Sequence, residues 1–214
     1  MSNPTTPASI GPGEFFPVVG VGPHEKPWPE GAQYDPELLL NGDRRNVLDH
    51  YRYWTVEAIV ADLDSKRHKL QIAIENWQHD LNIGSIVRTA NAFNVSGVHI
   101  VGKRDWNKRG AMVTDRYLTV HHHPTVEDFA VWCKENELPI IGIDNVPGSK
   151  QLESAQLPEK CVLLFGQEGA GMSDEGIAVC EVLYEINQYG STRSMNASAA
   201  GAIAMYHWAL QHLP

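Results

Sequence analysis

Three polar segments carry the side chains with which this chain could do chemistry, and each follows an apolar stretch typical of a buried strand. In the first segment, residues 82–90 (NIGSIVRTA), Asn82 can cap a helix whose second turn carries Arg88. Open α/β sheets bind ligands at the carboxyl ends of their strands, so Arg88 would bring a permanent cation to that edge. Taken alone, Arg88 is also compatible with an ordinary solvent-exposed helix residue.

The second segment, residues 162–173 (VLLFGQEGAGMS), has the pattern of a buried strand, a glycine-rich turn and a helix that Ser173 caps. Its glycines let backbone N–H groups approach a ligand closely. The spacing matches neither a P-loop nor the dinucleotide-binding fingerprint, which argues against ATP and NAD sites of those types. Glu168 is unusual in such a turn, because its carboxylate would repel a phosphate unless it faces a cation or a donor.

The third segment, residues 184–205, again runs from an apolar strand through a polar loop into a helix. Ser191, Ser194 and Asn196 gather hydroxyl and amide groups at the helix entrance. The stretch from Ala197 to Ala204 provides an almost side-chain-free face, which allows very close packing. Close packing explains the small residues, but it does not explain the polar cluster before them.

From Leu70 onward the sequence alternates short apolar strands with helical segments of about 10–15 residues. This alternation predicts an α/β fold with a mostly parallel sheet and helices on both faces. Residues 1–36 hold eight of the 13 prolines and predict an extended Pro/Gly-rich tail. Residues 37–69 predict a small helical extension, and residues 70–214 form the predicted α/β domain.

The composition excludes several classes of protein. With 214 residues, of which 43% are hydrophobic and 20% charged, the chain can bury a sizeable core and is not suited to wholesale disorder. No apolar run reaches the roughly 18 residues that a membrane helix needs, and the first residues lack the features of a secretory signal. Cys133, Cys161 and Cys180 form no CxxC pair and predict free thiols, so we expect a cytoplasmic protein.

Together the three polar segments resemble a known family. The ordered set N-x-G-x-x-x-R-T-A (82–90), L-x-F-G-x-E-x-x-G (163–171) and I-x-x-x-G-x-x-x-S-x-N-x-S-x-A (186–200) is similar to the three motifs of the SpoU/TrmH family of RNA ribose 2′-O-methyltransferases. Any one of these motifs is weak evidence, whereas three in this order and spacing are strong evidence. The resemblance covers about residues 70–212.

The resemblance implies a SPOUT fold, in which the C-terminal segment threads through a loop to form a deep trefoil knot. Such knots are otherwise nearly absent from proteins. The resemblance also implies that S-adenosylmethionine binds in the knot, between the loops that follow three of the strands. It further implies a homodimer formed through the knot region, in which the second subunit helps to complete each active site.

The family's site residues carry over onto the matching positions of this chain. Arg88 would orient the ribose 2′-hydroxyl and stabilise the developing alkoxide, because the high pKa of arginine makes it a poor base. Asn82 and Asn196 would fix the active-site loops. Glu168 resembles the acid of the second motif, and Ser194 would lie between substrate and cofactor. The residues implied to line the cofactor pocket are Asp144, Asn145, Gly166, Ile186, Gln188 and Met195.

Two stretches depart from the family pattern. Asn187 replaces the proline that usually follows the isoleucine of the third motif, and the usual S-L-N-V is S-M-N-A at residues 194–197. The two changes within S-L-N-V keep apolar character, which predicts an intact fold with an altered pocket shape. Residues 111–120 lack the small, Ser/Ala-rich run often found after the second strand, so this stretch does not support the family's usual substrate.

Two groups of basic residues could contact RNA phosphates. The first, within residues 103–116, interleaves Trp106 with cations and is also compatible with a solvated loop. The second lies in the helical extension, where related enzymes often carry an RNA-contacting helix. A net charge of −9 argues against long-range attraction to a polyanion but allows local basic patches. The RNA-contacting residues predicted in these groups are Arg44, Arg45, Arg52, Lys103, Arg104, Lys108 and Arg109.

The run His121–His123 raises the question of a metal site. Consecutive residues of a strand point to opposite faces of the sheet, so three adjacent histidines cannot bind one ion without a turn. We therefore expect no metal to bind there.

The sequence thus predicts an S-adenosylmethionine-dependent methyltransferase that acts on a ribose 2′-hydroxyl of structured RNA. We favour tRNA as the substrate because no second globular RNA-binding domain is recognisable. The same chemistry on ribosomal RNA is one alternative. A non-catalytic RNA-binding or adenosylmethionine-sensing dimer is another, which the low basic charge and the altered third motif would suit. The matching residues at 82, 88, 168, 194 and 196 argue against a loss of activity.

Overall fold

A computed structural model describes residues 20–78, 82–167 and 169–214 of the chain. Most of the predicted N-terminal tail and the predicted site residue Glu168 lie outside these residues. The chain divides between Ile59 and Val60 into two compact units, a point inside the predicted helical extension. The predicted boundaries after residues 36 and 69 stay a prediction.

The first unit is organised around a buried carboxylate. Asp43 is fully buried and accepts hydrogen bonds from the guanidinium and backbone N–H of Arg45 and from the backbone N–H of Tyr53. Burial raises the pKa of Asp43, but the hydrogen bonds from Arg45 and Tyr53 and the charge of Arg45 outweigh it and lower the pKa to about 2. The helices of this region are α1 (Pro36–Asn41), which Asp35 caps, and α2 (Val56–Asp64), which spans the division between the units.

The second unit contains a seven-stranded sheet in which every pair of neighbouring strands is parallel. The strand order is β3-β2-β1-β6-β4-β7-β5. This confirms the predicted α/β class and parallel sheet. The strands are β1 (His68–Asn76), β2 (Val95–Gly102), β3 (Val120–His123), β4 (Ile140–Ile143), β5 (Lys150–Gln151), β6 (Cys161–Phe165) and β7 (Val182–Glu185).

Four helices of the second unit follow strands of the sheet, and hydrophobic clusters cover both sheet faces. Alternation along β1 sends Ile72 and Ile74 into a cluster with buried residues of the first and last of these helices. Ala73 points the other way, into a cluster with Phe129 of the second helix. None of the helices in the described ranges is long and apolar enough to cross a membrane. The helices are α3 (Asn82–Ala92), α4 (Val126–Glu135), α5 (Asp174–Ala178) and α6 (Ala197–His212).

The strand register brings the loops that carry the motifs to one edge of the sheet. Ile74 of β1 lies opposite Phe165 of β6, and Phe165 lies opposite Ile143 of β4. Ile143 in turn lies opposite Tyr184 of β7. Because parallel strands share the direction of their carboxyl ends, the loops after β4, β6 and β7 meet at that edge. The last helix begins at Ala197, directly after the polar cluster predicted at its entrance, and Asn196 caps it.

Candidate active site

A cavity of about 380 Å³ lies where the loops after β4, β6 and β7 meet. The residues that line it include each position predicted to hold the cofactor. Ser194 and Asn196, predicted to act beside the cofactor, also line this cavity. The predicted cofactor positions in its wall are Asp144, Asn145, Gly166, Ile186, Gln188 and Met195.

The glycine-rich loop after β6 folds into a tight turn that only small residues allow. The backbone N–H groups of Gln167 and Gly171 each donate to the other residue's carbonyl, at 3.0 and 2.9 Å. A Cβ added at Gly166 would lie 2.1 Å from the backbone nitrogen of Met172, which no side chain could tolerate. Gly171 has a φ of 71°, a backbone conformation that glycine adopts without strain. Gly166 and Gly171 therefore determine the shape of this part of the cavity wall.

Asp144 joins the loop after β4 to the glycine-rich loop. Its carboxylate accepts a hydrogen bond from the backbone N–H of Met172 at 2.7 Å and another from the backbone N–H of Asn145 at 2.8 Å. The side-chain amide of Asn145 donates to the carbonyl of Arg193, in the loop after β7. These hydrogen bonds connect the three loops that form the cavity, so its polar groups are held in place before any ligand binds.

Asn82 and Asn196 form a direct link between α3 and α6. The Nδ2 group of Asn196 donates to Oδ1 of Asn82 at 2.8 Å. Asn196 Oδ1 accepts from the backbone N–H groups of Ser198 and Ala199 and so caps α6. Asn82 is buried, whereas Asn196 borders the cavity. The amide of Asn196 thus serves both the helix and the cavity wall.

Arg88 is exposed on α3 and is not among the residues that line the cavity of its own chain. One turn earlier, Gly84 packs against the 3₁₀ turn Lys108–Ala111. A Cβ at Gly84 would lie 2.8 Å from the backbone nitrogen of Ala111 and the carbonyl oxygen of Asn107. Residues four apart share a helix face, so this close approach places the basic 3₁₀ turn on the face that carries Arg88.

The predicted basic residues after β2 are exposed, and internal contacts fix their backbone. Lys103 and Arg104 leave the strand end, where Nδ2 of the buried Asn76 donates to the carbonyls of Lys103 and Asp105. Lys108 forms an ion pair with Asp115 at 2.9 Å and lies over the ring of Trp106. Trp106 itself packs against the hydrophobic core. The ring of Trp106 thus contributes to the packing of the protein.

In the first unit the three predicted RNA-contacting arginines differ in their surroundings. Arg44 is exposed. Arg45 pairs with Asp43 and donates to the carbonyl of Trp54, and Arg52 donates to the carbonyl of Arg45. These internal contacts make Arg45 and Arg52 part of the framework of the unit, which leaves Arg44 as the cation of this group that faces solvent.

The histidine run alternates between the two sheet faces, as predicted. His121 and His123 stack against the fully buried His99, while His122 approaches the carbonyl of Gly102 on the other side. Burial, together with the neighbouring His121 and His123, lowers the pKa of His99 to about 2. Among the described residues, no group of three or more His, Cys, Asp or Glu is arranged to hold a metal ion.

Two buried polar residues at the end of β1 were not predicted from the sequence as functional residues. Glu75 is fully buried and accepts hydrogen bonds from Ser173, and Asn76 fixes the chain that leaves β2. Gln167, at the start of the glycine-rich loop, accepts from the backbone N–H of Trp77 at 3.0 Å. The signal available in the sequence was a carboxylate and an amide that end an otherwise apolar strand.

Comparison with known proteins identifies the family of this chain. The SpoU rRNA Methylase family matches residues 69–206, so the chain belongs to this family. A tRNA (guanosine(18)-2′-O)-methyltransferase of Borreliella burgdorferi is 25% identical over 147 residues, 67% of either chain. The Escherichia coli enzyme of the same name is also 25% identical and is matched over 64% of its length. An uncharacterised tRNA/rRNA methyltransferase of Synechocystis is 29% identical and is matched over 42% of its length.

Solved structures share the fold at low sequence identity. The A. aeolicus TrmH/SpoU tRNA modifying enzyme has a TM-score of 0.64 and 22% identity, covering 73% of this chain and 83% of that one. The SpoU methyltransferase AviRb from Streptomyces viridochromogenes, in complex with the cofactor AdoMet, has a TM-score of 0.61 and 23% identity. That match covers 70% of this chain and 60% of AviRb.

Proposed function

We propose that this protein is an S-adenosylmethionine-dependent methyltransferase that methylates a ribose 2′-hydroxyl in tRNA. The observation that carries the proposal is the cavity at the carboxyl edge of the sheet, which every predicted cofactor position lines. Membership of the SpoU family and the tRNA (guanosine(18)-2′-O)-methyltransferases among its relatives support the same activity.

The cavity fits S-adenosylmethionine in size and chemistry. Its volume of about 380 Å³ falls within the range of small-molecule pockets. Phe165, Ile143 and Ile186 offer an apolar surface for the adenine ring, and Gln188 and Asn145 offer polar groups for the ribose and the amino-acid end. Gly166 allows the tight turn that forms this wall of the cavity, because a Cβ there would clash with the backbone of Gly171 and Met172.

The bound cofactor would supply a methyl group already activated by a positively charged sulfur, so the protein needs neither a metal nor a covalent intermediate. The residues of this chain would act by positioning. Ser194 is exposed at the cavity wall, where its hydroxyl can hydrogen-bond the incoming ribose. Arg88 would orient the 2′-hydroxyl and stabilise the negative charge that develops on its oxygen, because a guanidinium stays protonated.

A homodimer would bring Arg88 to a cavity. Arg88 is exposed and absent from the lining of its own cavity, so a second copy would have to present it. Helix α6 supports such an assembly, because Ile203, Tyr206 and Leu210 are 42%, 56% and 65% exposed along one side of it. We propose that this apolar face of α6 packs against the second copy of the chain.

A C-terminal trefoil knot is also part of the proposal. Residues 186–196 connect β7 to α6, and several of them line the cavity. The hydrogen bond from the side chain of Asn145 to the carbonyl of Arg193 links this segment to the loop after β4, which supports a close crossing of the two.

The RNA would be held by exposed cations and by an exposed aromatic ring beside the cavity. Tyr189 is 89% exposed, in the loop between the cavity residues Gln188 and Ser194. Its ring is available to stack on an unpaired base, which is how single-stranded RNA is commonly bound. The cations proposed to hold the phosphates are Lys103, Arg104, Lys108, Arg109 and Arg44.

A reducing location such as the cytoplasm suits this function. Cys133, Cys161 and Cys180 are free thiols, and burial raises the pKa of each to about 12, which keeps them unreactive.

Labelled methyl transfer to separate tRNA and ribosomal RNA pools tests the proposal. We expect label in tRNA with the wild-type protein and none with Arg88→Ala, while both proteins bind S-adenosylmethionine in calorimetry. Label in ribosomal RNA alone would move the substrate to the alternative that the family description and the Synechocystis relative favour. Cofactor binding without transfer to either pool would instead indicate a sensor.

A further inference from the structure

Glu75 is a buried carboxylate that contacts the residue following the glycine-rich loop. It lies near the end of β1 with none of its surface exposed. One carboxylate oxygen accepts from the backbone N–H of Ser173 at 2.7 Å, and the other accepts from the hydroxyl of the same residue. The Ser173 hydroxyl in turn accepts from the backbone N–H of Gly176 and so caps α5.

The burial of this charge is costly for the fold. A buried carboxylate loses its hydration, and an apolar side chain of similar volume would often stabilise a protein at least as well. In the part of the chain that the structure describes, no lysine or arginine lies within ion-pair distance of Glu75. The backbone N–H and the hydroxyl of Ser173 compensate for the hydration that Glu75 loses on burial. Because both hydrogen bonds come from Ser173, the carboxylate fixes the position of that one residue.

The residue that Glu75 holds ends the glycine-rich loop. Ser173 directly follows Met172, which lines the cavity. At the other end of the loop, Gln167 accepts a hydrogen bond from the backbone N–H of Trp77. Glu75 lies near the end of β1 and Trp77 directly follows that strand, so the chain at this strand end contacts the loop at both of its ends.

We propose that Glu75 is a positioning residue that keeps the described residues of the glycine-rich loop, 166–167 and 169–172, in the conformation that binds the methyl donor. This inference rests on the proposed function, because it concerns the same cofactor. Glu75 does not line the cavity and acts through Ser173. Gly176 lets helix α5 approach the carboxylate closely, because a Cβ at this position would lie 2.8 Å from the carboxylate oxygen.

The two donors of Ser173 require a carboxylate. A glutamine amide has one acceptor oxygen, so Glu75→Gln leaves one of the two donors without its partner. We expect the dissociation constant for S-adenosylmethionine to rise roughly tenfold, the effect of losing one hydrogen bond to a charged group. The melting temperature should stay close to that of the wild type, because the variant also removes a buried charge.

Calorimetric titration of the full chain with S-adenosylmethionine, together with thermal unfolding, tests this role. Ser173→Ala should weaken binding similarly, and the double variant should bind no more weakly than the weaker single variant, since both act through one contact. Ser96→Ala is the matched control, because its hydroxyl also bonds to β1, at the carbonyl of Leu70 at the opposite end. This control should bind like the wild type.

Hydrogen exchange of the ligand-free protein gives a second readout. Residues 166–173 should exchange faster in Glu75→Gln and in Ser173→Ala than in Ser96→Ala. A folded Glu75→Gln variant that binds with wild-type affinity would overturn the inference. If that variant does not fold, wild-type affinity and exchange in Ser173→Ala would overturn it. Absence of binding by the wild-type protein would overturn the proposed function and this role with it.

Discussion

At the scale of single residues, the site depends on side chains that serve two neighbours at once. Asn196 caps α6 with its oxygen and links to Asn82 with its nitrogen. Asp144 accepts from two backbone N–H groups that belong to different loops. Such residues fix the geometry of the cavity, so their replacement should change ligand affinity and fold stability together.

Asn196→Ala should therefore lower the free energy of unfolding by about 1 kcal/mol, the usual effect of losing an N-cap. It should also weaken binding of S-adenosylmethionine, because the link to α3 and a polar group of the cavity wall are lost together. Urea unfolding and calorimetry measure the two effects. Asn136→Ala, at the C-terminal end of α4, is the control for removing an exposed amide. Unchanged cofactor affinity in Asn196→Ala would contradict the assigned role.

At the scale of elements, close packing between a helix and a turn arranges the basic surface. Gly84 of α3 touches the 3₁₀ turn Lys108–Ala111 through backbone atoms only. Gly84→Ala should push this turn away from α3 and thereby separate its cations from Arg88. We expect weaker tRNA binding in filter or mobility-shift assays, with little change in cofactor affinity.

Gly22→Ala is the matched control for that variant, since a Cβ at Gly22 would meet no atom within 4 Å. It should bind tRNA like the wild-type protein. Wild-type tRNA affinity in Gly84→Ala would show that the basic turn and α3 do not act as one surface.

Most of the strands and helices could be predicted from the sequence, because the residue patterns that indicate them are local. Alternating apolar strands gave the parallel sheet, and Ser173 marked the start of α5 correctly. Gly166 and Met195, which lie in the motifs, and Asp144, which the family resemblance implied, all line one cavity. Glu75 and Asn76 were not identified, because their partners lie far away in the sequence. The internal pairing of Arg45 with Asp43 depends on the fold of the first unit in the same way.

At the scale of the whole molecule, buried histidines tie stability to pH. The pKa of His99 is lowered from 6.5 to about 2 by burial and by the neighbouring His121 and His123, so His99 is neutral when folded and charges when the chain unfolds. Its stabilising contribution is complete above pH 6.5 and is lost as the pH falls from there toward 2. Between pH 6.5 and 5.5 the loss should be about 1 kcal/mol.

Urea unfolding of the wild type at several pH values measures this loss. His99→Gln should show a shallower dependence on pH, because it removes the group that binds a proton only in the unfolded chain. The same slope in a folded His99→Gln variant would assign the effect to other groups. Asp43 does not interfere with this test. Its pKa is lowered from 3.8 to about 2, so its contribution to the free energy of unfolding is lost only at lower pH.

The proposed dimer can be tested by mixing two inactive chains. Arg88→Ala lacks the residue that would act at the partner's cavity, and Ala200→Phe would fill its own cavity. Co-expressed with different tags and purified as the mixed dimer, they should regain part of the wild-type transfer rate, because one site is intact. No recovery in a mixed dimer of confirmed composition would place Arg88 at the cavity of its own chain.

The central claim is methyl transfer to a ribose oxygen of tRNA, and mass spectrometry of nucleosides tests it most directly. Unmodified tRNA is incubated with the wild-type protein and S-adenosylmethionine and then digested to nucleosides. We predict a nucleoside that carries its new methyl group on the ribose, and its absence when Arg88→Ala replaces the wild type. A methyl group on a base, or unmodified tRNA despite measured cofactor binding, would contradict the account.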